Sequence, residues 1–199
     1  MSPFVHACIA LPLAALAWGP RAEPIATFAV TVSVASEDGA PVVDDAWVLA
    51  QLDFAETMFG DLGVHFGRVA TKTLDARFAH LESRADRNAL AAELEPSTVH
   101  LFIVASLRDV DDRVSLRMGV HWRESQHPDE HFIIMAATAR PTTLAHELGH
   151  FFGNPHSLVE DNVMSYSRTG GAVFFDEAQI RRIRVSAKEY VRKGELRTL

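Results

Sequence analysis

The residues with the most chemical potential lie in one short segment, Thr143 to His156, which reads TLAHELGHFFGNPH. His146 and His150 are four residues apart, so on a helix their imidazoles project from one face, one turn apart. Neutral imidazole nitrogens in that arrangement grip a small cation, and zinc suits them. Gly153 falls three residues after His150, where a helix can end in the left-handed conformation that costs glycine little. The chain can then turn back through Asn154-Pro155, where proline prevents simple helix continuation, and present His156 as a third ligand. Three protein ligands leave a fourth position for water, the pattern of a catalytic zinc and not of a closed structural one. Glu147 follows His146 directly and cannot point the same way as both histidines. It is placed instead to take a proton from the water as it attacks a carbonyl, then pass it to the leaving amine. The bland alternative is an amphipathic helix that happens to be rich in histidine. With ten histidines in the chain, chance would place three His, one Glu and one Gly at these spacings only about once in ten thousand.

Downstream, Asn162-Val163-Met164-Ser165-Tyr166 follows the third histidine at short range. With that segment in place the chain resembles the metzincins, the zinc-peptidase clan defined by HExxHxxGxxH and a later methionine turn. The matching residues are His146, Glu147, His150, Gly153, His156 and Met164. The resemblance implies that Met164 forms a hydrophobic floor beneath the ligands without binding the metal; taken alone, a buried methionine would be an ordinary core residue. Tyr166 matches the position from which astacin-like and serralysin-like members supply a tyrosine. It implies a labile fifth ligand that swings away to stabilise the oxyanion, against the alternative of a core or rim tyrosine. Ser157 resembles the matrixins, whereas Val163-Met164-Ser165-Tyr166 resembles the serralysins, so the likeness is to the clan and to no subfamily. The fold it implies is α+β, a mixed twisted sheet with an antiparallel edge strand, a zinc-site helix and a C-terminal helix. The function it implies is a zinc endopeptidase with one catalytic Zn²⁺, acting on a protein or peptide bound in extended form.

The elements that must position these residues are legible upstream and downstream. Thr27 to Ala35 alternates and is rich in β-branched residues, which predicts a strand. Asp44 or Asp45 then caps a helix to about Phe59, with Val48, Leu52, Ala55 and Phe59 recurring at spacings of three and four. Val64 to Val69 reads as a short strand and Ser83 to Leu94 as a helix stopped by Pro96. Val99 to Ala105 is nearly all apolar, as for a strand covered on both faces. Val114 to Trp122 alternates apolar and polar, predicting a strand with one dry face and one wet face. In metzincins such a strand borders the cleft, and its free edge can pair with an extended peptide. His131 to Ala137 is another strand, and Thr142 or Thr143 can cap the zinc helix. The resemblance implies that Gly170-Gly171 and Val173 to Phe175 shape the pocket for the residue after the scissile bond. Asp176 to Gln179 resembles a capping box for a last helix that Gly194 ends.

Two features read as ordinary. Asp109-Val110-Asp111-Asp112 matches no defensible calcium loop, so a solvated loop is expected and calcium is unsupported. His121, His127 and His131 are read as loop or strand positions ahead of cleft lining or a second metal, and His65, His80 and His100 show no partner in the sequence.

The 199 residues fit one domain with a sizeable core, and 48% hydrophobic with 23% charged residues excludes disordered and collagen-like classes. A formal charge of −7 gives no reason to expect nucleic-acid binding. Cys8 is the only cysteine, so no internal disulfide can form. Ala7 to Trp18 is too short to span a bilayer but suits the apolar region of a signal peptide, with Ala15-Leu16-Ala17 as a cleavage site. No Lys or Arg precedes that run. Two other readings stand beside it: a lipid-modified Cys8, for which Val5-His6-Ala7 is a poor lipobox, and a buried N-terminal segment of a cytosolic protein. The organisation expected is a leader over residues 1–22 and a single catalytic domain over 23–199, secreted or periplasmic and monomeric, with no transmembrane segment. The alternatives to an endopeptidase are a zinc-binding peptide-recognition protein without turnover and a hydrolase of non-peptide amides.

Overall fold

The computed structural model describes residues 23–124 and 130–199. The expected leader, with Cys8, and His127 lie outside the described residues. In chain order the elements are strands β1 (Ala26–Glu37) and β2 (Ala40–Pro41), helix α1 (Asp45–Phe59), and strands β3 (Val64–Leu74) and β4 (His80–Leu81). Then come helix α2 (Arg84–Ala89), strands β5 (Val99–Val104), β6 (Ser106–Leu107), β7 (Gly119–Arg123) and β8 (His131–Ala136), and helices α3 (Thr143–Phe151) and α4 (Glu177–Lys193).

β1 is buried from Phe28 to Ala35 because it has a parallel neighbour on each side, β3 and β5. β8 adds in parallel to β5, and β7 closes that side antiparallel to β8. The result is a mixed sheet with an antiparallel edge strand. β5 and β8 send alternate side chains to opposite faces, which is why both read as continuous apolar runs. Leu101, Ile103, Ile133 and Met135 pack on one face with Phe59 of α1, Leu148 of α3 and Ile183 of α4. Phe102, Val104, Phe132 and Ile134 pack on the other with Phe78, Leu81 and Leu90. No helix among the described residues is long and apolar enough to cross a membrane.

Caps behave as their residue types dictate. The Asp44 carboxylate accepts from Trp47 N at the start of α1, and Asp176 forms a reciprocal capping box with Gln179 on α4. Gly194, with φ of 67°, closes α4. α3 is the exception, because neither Thr142 nor Thr143 caps it as expected; Thr142 makes no side-chain cap bond. Gln51, buried on α1, does that work from outside: its amide donates to Arg140 O at 3.0 Å and its carbonyl accepts from Leu144 N at 3.4 Å.

Four further expectations need correction. β3 runs on to Leu74, beyond Val69, since its Thr and Lys residues sit at a sheet edge where an apolar signal is weak. The helix expected over Ser83 to Leu94 is six residues of α2 followed by a 3₁₀ turn over Leu90–Glu93. The strand expected over Val114 to Trp122 begins only at Gly119, and Val114 is 89% exposed. Its partner β8 ends at Ala136, whose N–H donates to Met118 O at 2.9 Å, and before Met118 only an isolated bridge from Leu116 to Arg108 continues the pairing. Tight turns take up the chain instead, with Asp109 Oδ1 accepting from Asp111 N and Asp112 N, and Asp112 Oδ1 from Val114 N. Asp109 is therefore buried, not solvated.

Candidate metal centre

α3 is buried along nearly its whole length, with His150 turned toward the cleft. Gly149 lies directly on Met164, and a Cβ at that position would run into the methionine sulfur. Met164 itself is fully buried. The same segment orients the first histidine, because His146 Nδ1 lies 2.7 Å from Val163 O. Gly153 has φ of +88°, which allows the reversal after α3. Asn154 then closes back with its N–H on Gly149 O at 2.9 Å, and its own carbonyl lies 2.8 Å from His150 Nδ1. Ser157 N donates to Met164 O at 2.9 Å, tying the loop that carries His156 to the methionine segment.

A backbone carbonyl can only accept, so Nδ1 of His146 and of His150 both carry the proton. Their Nε2 atoms are left as lone pairs, and these face each other at 3.2 Å. His156 Nε2 completes the group at 3.0 Å from His150 Nε2. Two lone pairs at that distance repel unless a cation lies between them. Tetrahedral zinc with nitrogens at 2.0–2.1 Å would set neighbouring ligands about 3.3 Å apart, so the donor set fits. The three ligand atoms all lie within 4.8 Å of one another, and they can hold a metal ion. Burial pushes the His146 imidazole down to about 4 and also lowers His150 and His156. Ligand histidines must be neutral, and burial favours that form in all three.

Glu147 is buried beside them, its Oε2 accepting from His121 N on β7 at 2.8 Å. Burial pushes its carboxyl up to about 7, against the pull of that hydrogen bond and of the Arg117 charge. Gly119 makes the approach possible: a Cβ there would stand 2.7 Å from Thr143 Cγ2 and 2.9 Å from Glu147 Cγ. The Tyr166 hydroxyl lies 2.7 Å from His156 Nε2 at the open side, and the residue is 69% exposed. All five residues singled out in the sequence, His146, Glu147, His150, His156 and Tyr166, thus meet at one cleft.

Sequence reasoning missed the supports. Gly119 was a lone glycine in a strand pattern, which signals close backbone approach. Asp109 accepts from Arg117 at 2.6 Å and holds its guanidinium in the cleft, a role that no local pattern announces. His121 lines the cleft beside His150 and His156. Its ring bonds His131 at 2.8 Å, and His131 stacks on Phe151 with centroids 4.2 Å apart. Among the described residues the remaining histidines find partners in Glu56 for His65, Glu37 and Ser106 for His80, and Ser33 for His100.

No protein-family model matches the sequence, and no curated protein matches it. Solved structures do. Mature mirolysin of Tannerella forsythia, in complex with a cleaved peptide, aligns at a TM-score of 0.62 over 89% of this chain and 100% of its own, with 11% identity. Metalloproteinase-II of Bacteroides fragilis aligns at 0.56 with 16% identity, over 84% of this chain. This chain spans 55% of that protein's length. Archaemetzincin of Methanopyrus kandleri aligns at 0.56 over 81% of this chain and 96% of its own, with 14% identity. The fold is metzincin-like. At these identities the likeness speaks for the fold, and the chemistry rests on the cleft itself.

Proposed function

We propose that this protein is an exported zinc-dependent endopeptidase. The observation that carries the reading is the convergence of three imidazole Nε2 atoms beside a buried carboxylate that is tied to the edge strand. His146, His150 and His156 would hold the metal. Zinc bound there supplies Lewis acidity toward a carbonyl oxygen and lowers the pKa of water.

This chain's own residues supply the rest. β7 pairs with β8 on one side only among the described residues, leaving an edge on which an extended peptide can add as a further strand. Glu147 takes the proton of the attacking water as its oxygen bonds to the carbonyl carbon. It then delivers that proton to the amide nitrogen as the C–N bond breaks. The His121 N–H holds the carboxylate in place for both transfers. Tyr166 directs its hydroxyl to the side where negative charge develops on the carbonyl oxygen. The apolar leader in residues 7–18 supports export.

The test is metal content together with turnover. Purified protein is expected to carry one zinc per chain and to cleave an unstructured protein at internal bonds. Glu147→Gln is expected to keep the zinc and lose roughly 10²–10⁴ in rate. A native protein without zinc ends the reading. Zinc with peptide binding and no turnover would replace it with a recognition protein, and turnover of small amides alone would replace it with an amidase.

A further inference from the structure

Beside His146 and Glu147 the cleft opens into a cavity of about 540 Å³. Its walls are apolar at Leu116, Met118, Pro141 and Val173, and three arginines line it, Arg117, Arg140 and Arg168. Glu147 is the sole acidic residue in the lining. In a chain with a formal charge of −7, that is a local reversal of sign.

The three arginines differ in what already satisfies them. Arg117 is ion-paired with Asp109 at 2.6 Å. Arg168 is fixed by backbone carbonyls, donating from Nη1 to Asn162 O at 2.7 Å and from Nη2 to Val163 O at 3.2 Å. These contacts fix its geometry and leave its charge uncompensated. Among the described residues no carboxylate forms an ion pair with Arg168 or with Arg140. Arg168 is close enough to the metal centre for its charge to act on His146. Glu147 forms no ion pair with Arg140 or Arg168, and its Oε2 accepts from His121 N.

A guanidinium held in place without an anion binds a carboxylate well, because its planar fork matches two oxygens and little ordering remains to be done. Apolar walls with cationic groups among them accommodate methylene groups that carry a carboxylate. We propose that this cavity receives an aspartate or glutamate side chain of the substrate, next to the scissile bond. The protein is then an endopeptidase selective for acidic residues at that position. The inference rests on the endopeptidase reading and names the substrate class of the same cleft. Two uncompensated positive charges in the lining also steer acidic peptides toward a protein whose overall charge would repel them.

Two measurements test it. In the first, native zinc-loaded protein digests a peptide library, and residues on either side of each cut are counted. Matched Glu/Gln and Asp/Asn peptide pairs then give kcat/KM ratios. At least about a tenfold preference for the acid at one flanking position is expected, the size of one charge-assisted pair. Arg140→Glu, at an exposed position, should cut that ratio about tenfold and raise cleavage beside Lys. In the second, Glu147→Gln protein binds the same peptide pairs without turning them over. The acidic member should bind about tenfold tighter at low salt, with the difference shrinking as salt rises. Cleavage without acidic enrichment overturns the inference while leaving the endopeptidase standing. So does a ratio unmoved by both Arg140→Gln and Arg168→Gln, whereas removal of terminal residues only would overturn the inference and the endopeptidase reading together. Absence of all cleavage together with acid-selective binding would sink the endopeptidase and spare the pocket.

Discussion

His146 and His100 are both buried histidines whose imidazoles burial pushes down to about 4. His100 lies in the interior of the parallel sheet on β5. There its Nδ1 accepts from Glu95 N at 2.9 Å, so the proton sits on Nε2 and is given to Ser33 Oγ at 2.9 Å. Both nitrogens are spent on the protein. In His146 the tautomer is the opposite one: Nδ1 gives its proton to Val163 O, and the Nε2 lone pair points out into the cleft. Burial and a depressed proton affinity therefore do not mark a metal ligand. The mark is a carbonyl on Nδ1, which turns a lone pair outward to meet others.

The largest effect expected from that difference is at His150. His150→Ala should abolish zinc binding and lower peptide cleavage by about three orders of magnitude or more. Metal analysis and turnover measure it, and a variant that still holds one tight zinc would break the distinction. His100→Ala should do the reverse. It should leave zinc content intact and destabilise the fold by about 2–4 kcal/mol in urea titration, because it opens a cavity against Phe102 and orphans Glu95 N. Zinc loss there would show that the two regions are not separable.

A pH series sharpens the same contrast. His100 is neutral when folded and has an ordinary affinity for protons when unfolded, so the unfolded chain takes up more protons below pH 6.5. Its stabilising contribution is full above pH 6.5 and is lost as pH falls to about 4, up to about 3 kcal/mol. Lys72 lowers the value further and Glu95 raises it. The stability gap between native protein and His100→Gln should shrink across that window in urea titrations at fixed salt; a constant gap would contradict it. The smallest expected effect is at the cleft rim. Tyr166→Phe should retain zinc and lose about tenfold to a hundredfold in kcat, less than an oxyanion donor fixed in a buried site. An unchanged kcat would leave Tyr166 as a rim residue.

Much of the centre was readable in advance because the relevant spacings are local. Four residues of helix put His146 and His150 on one face, and Gly153 with Pro155 set the reversal. The strands of the parallel sheet were readable for the same reason, since both-face burial makes β5 and β8 apolar throughout. What escaped depends on pairs distant in sequence. Gln51 caps a helix 93 residues away, and the carboxylate of Asp109 is held by the amides of Asp111 and Asp112 together with Arg117, which folds back onto it. The alternation of Val114 to Trp122 misled for a related reason. A period of two describes which side a residue faces and is silent on whether a partner strand extends far enough to pair with it.

The hydrogen bond from His121 N to Glu147 carries one more consequence. On the endopeptidase reading, this bond ties the strand edge that would receive the substrate to the group that would move the proton. A peptide seated in the correct register would then find the base already aligned. A peptide that displaced the strand would move the base with it, so misalignment would be punished in the chemical step even where affinity survived. Fidelity of cleavage position would in this way rest on one backbone amide.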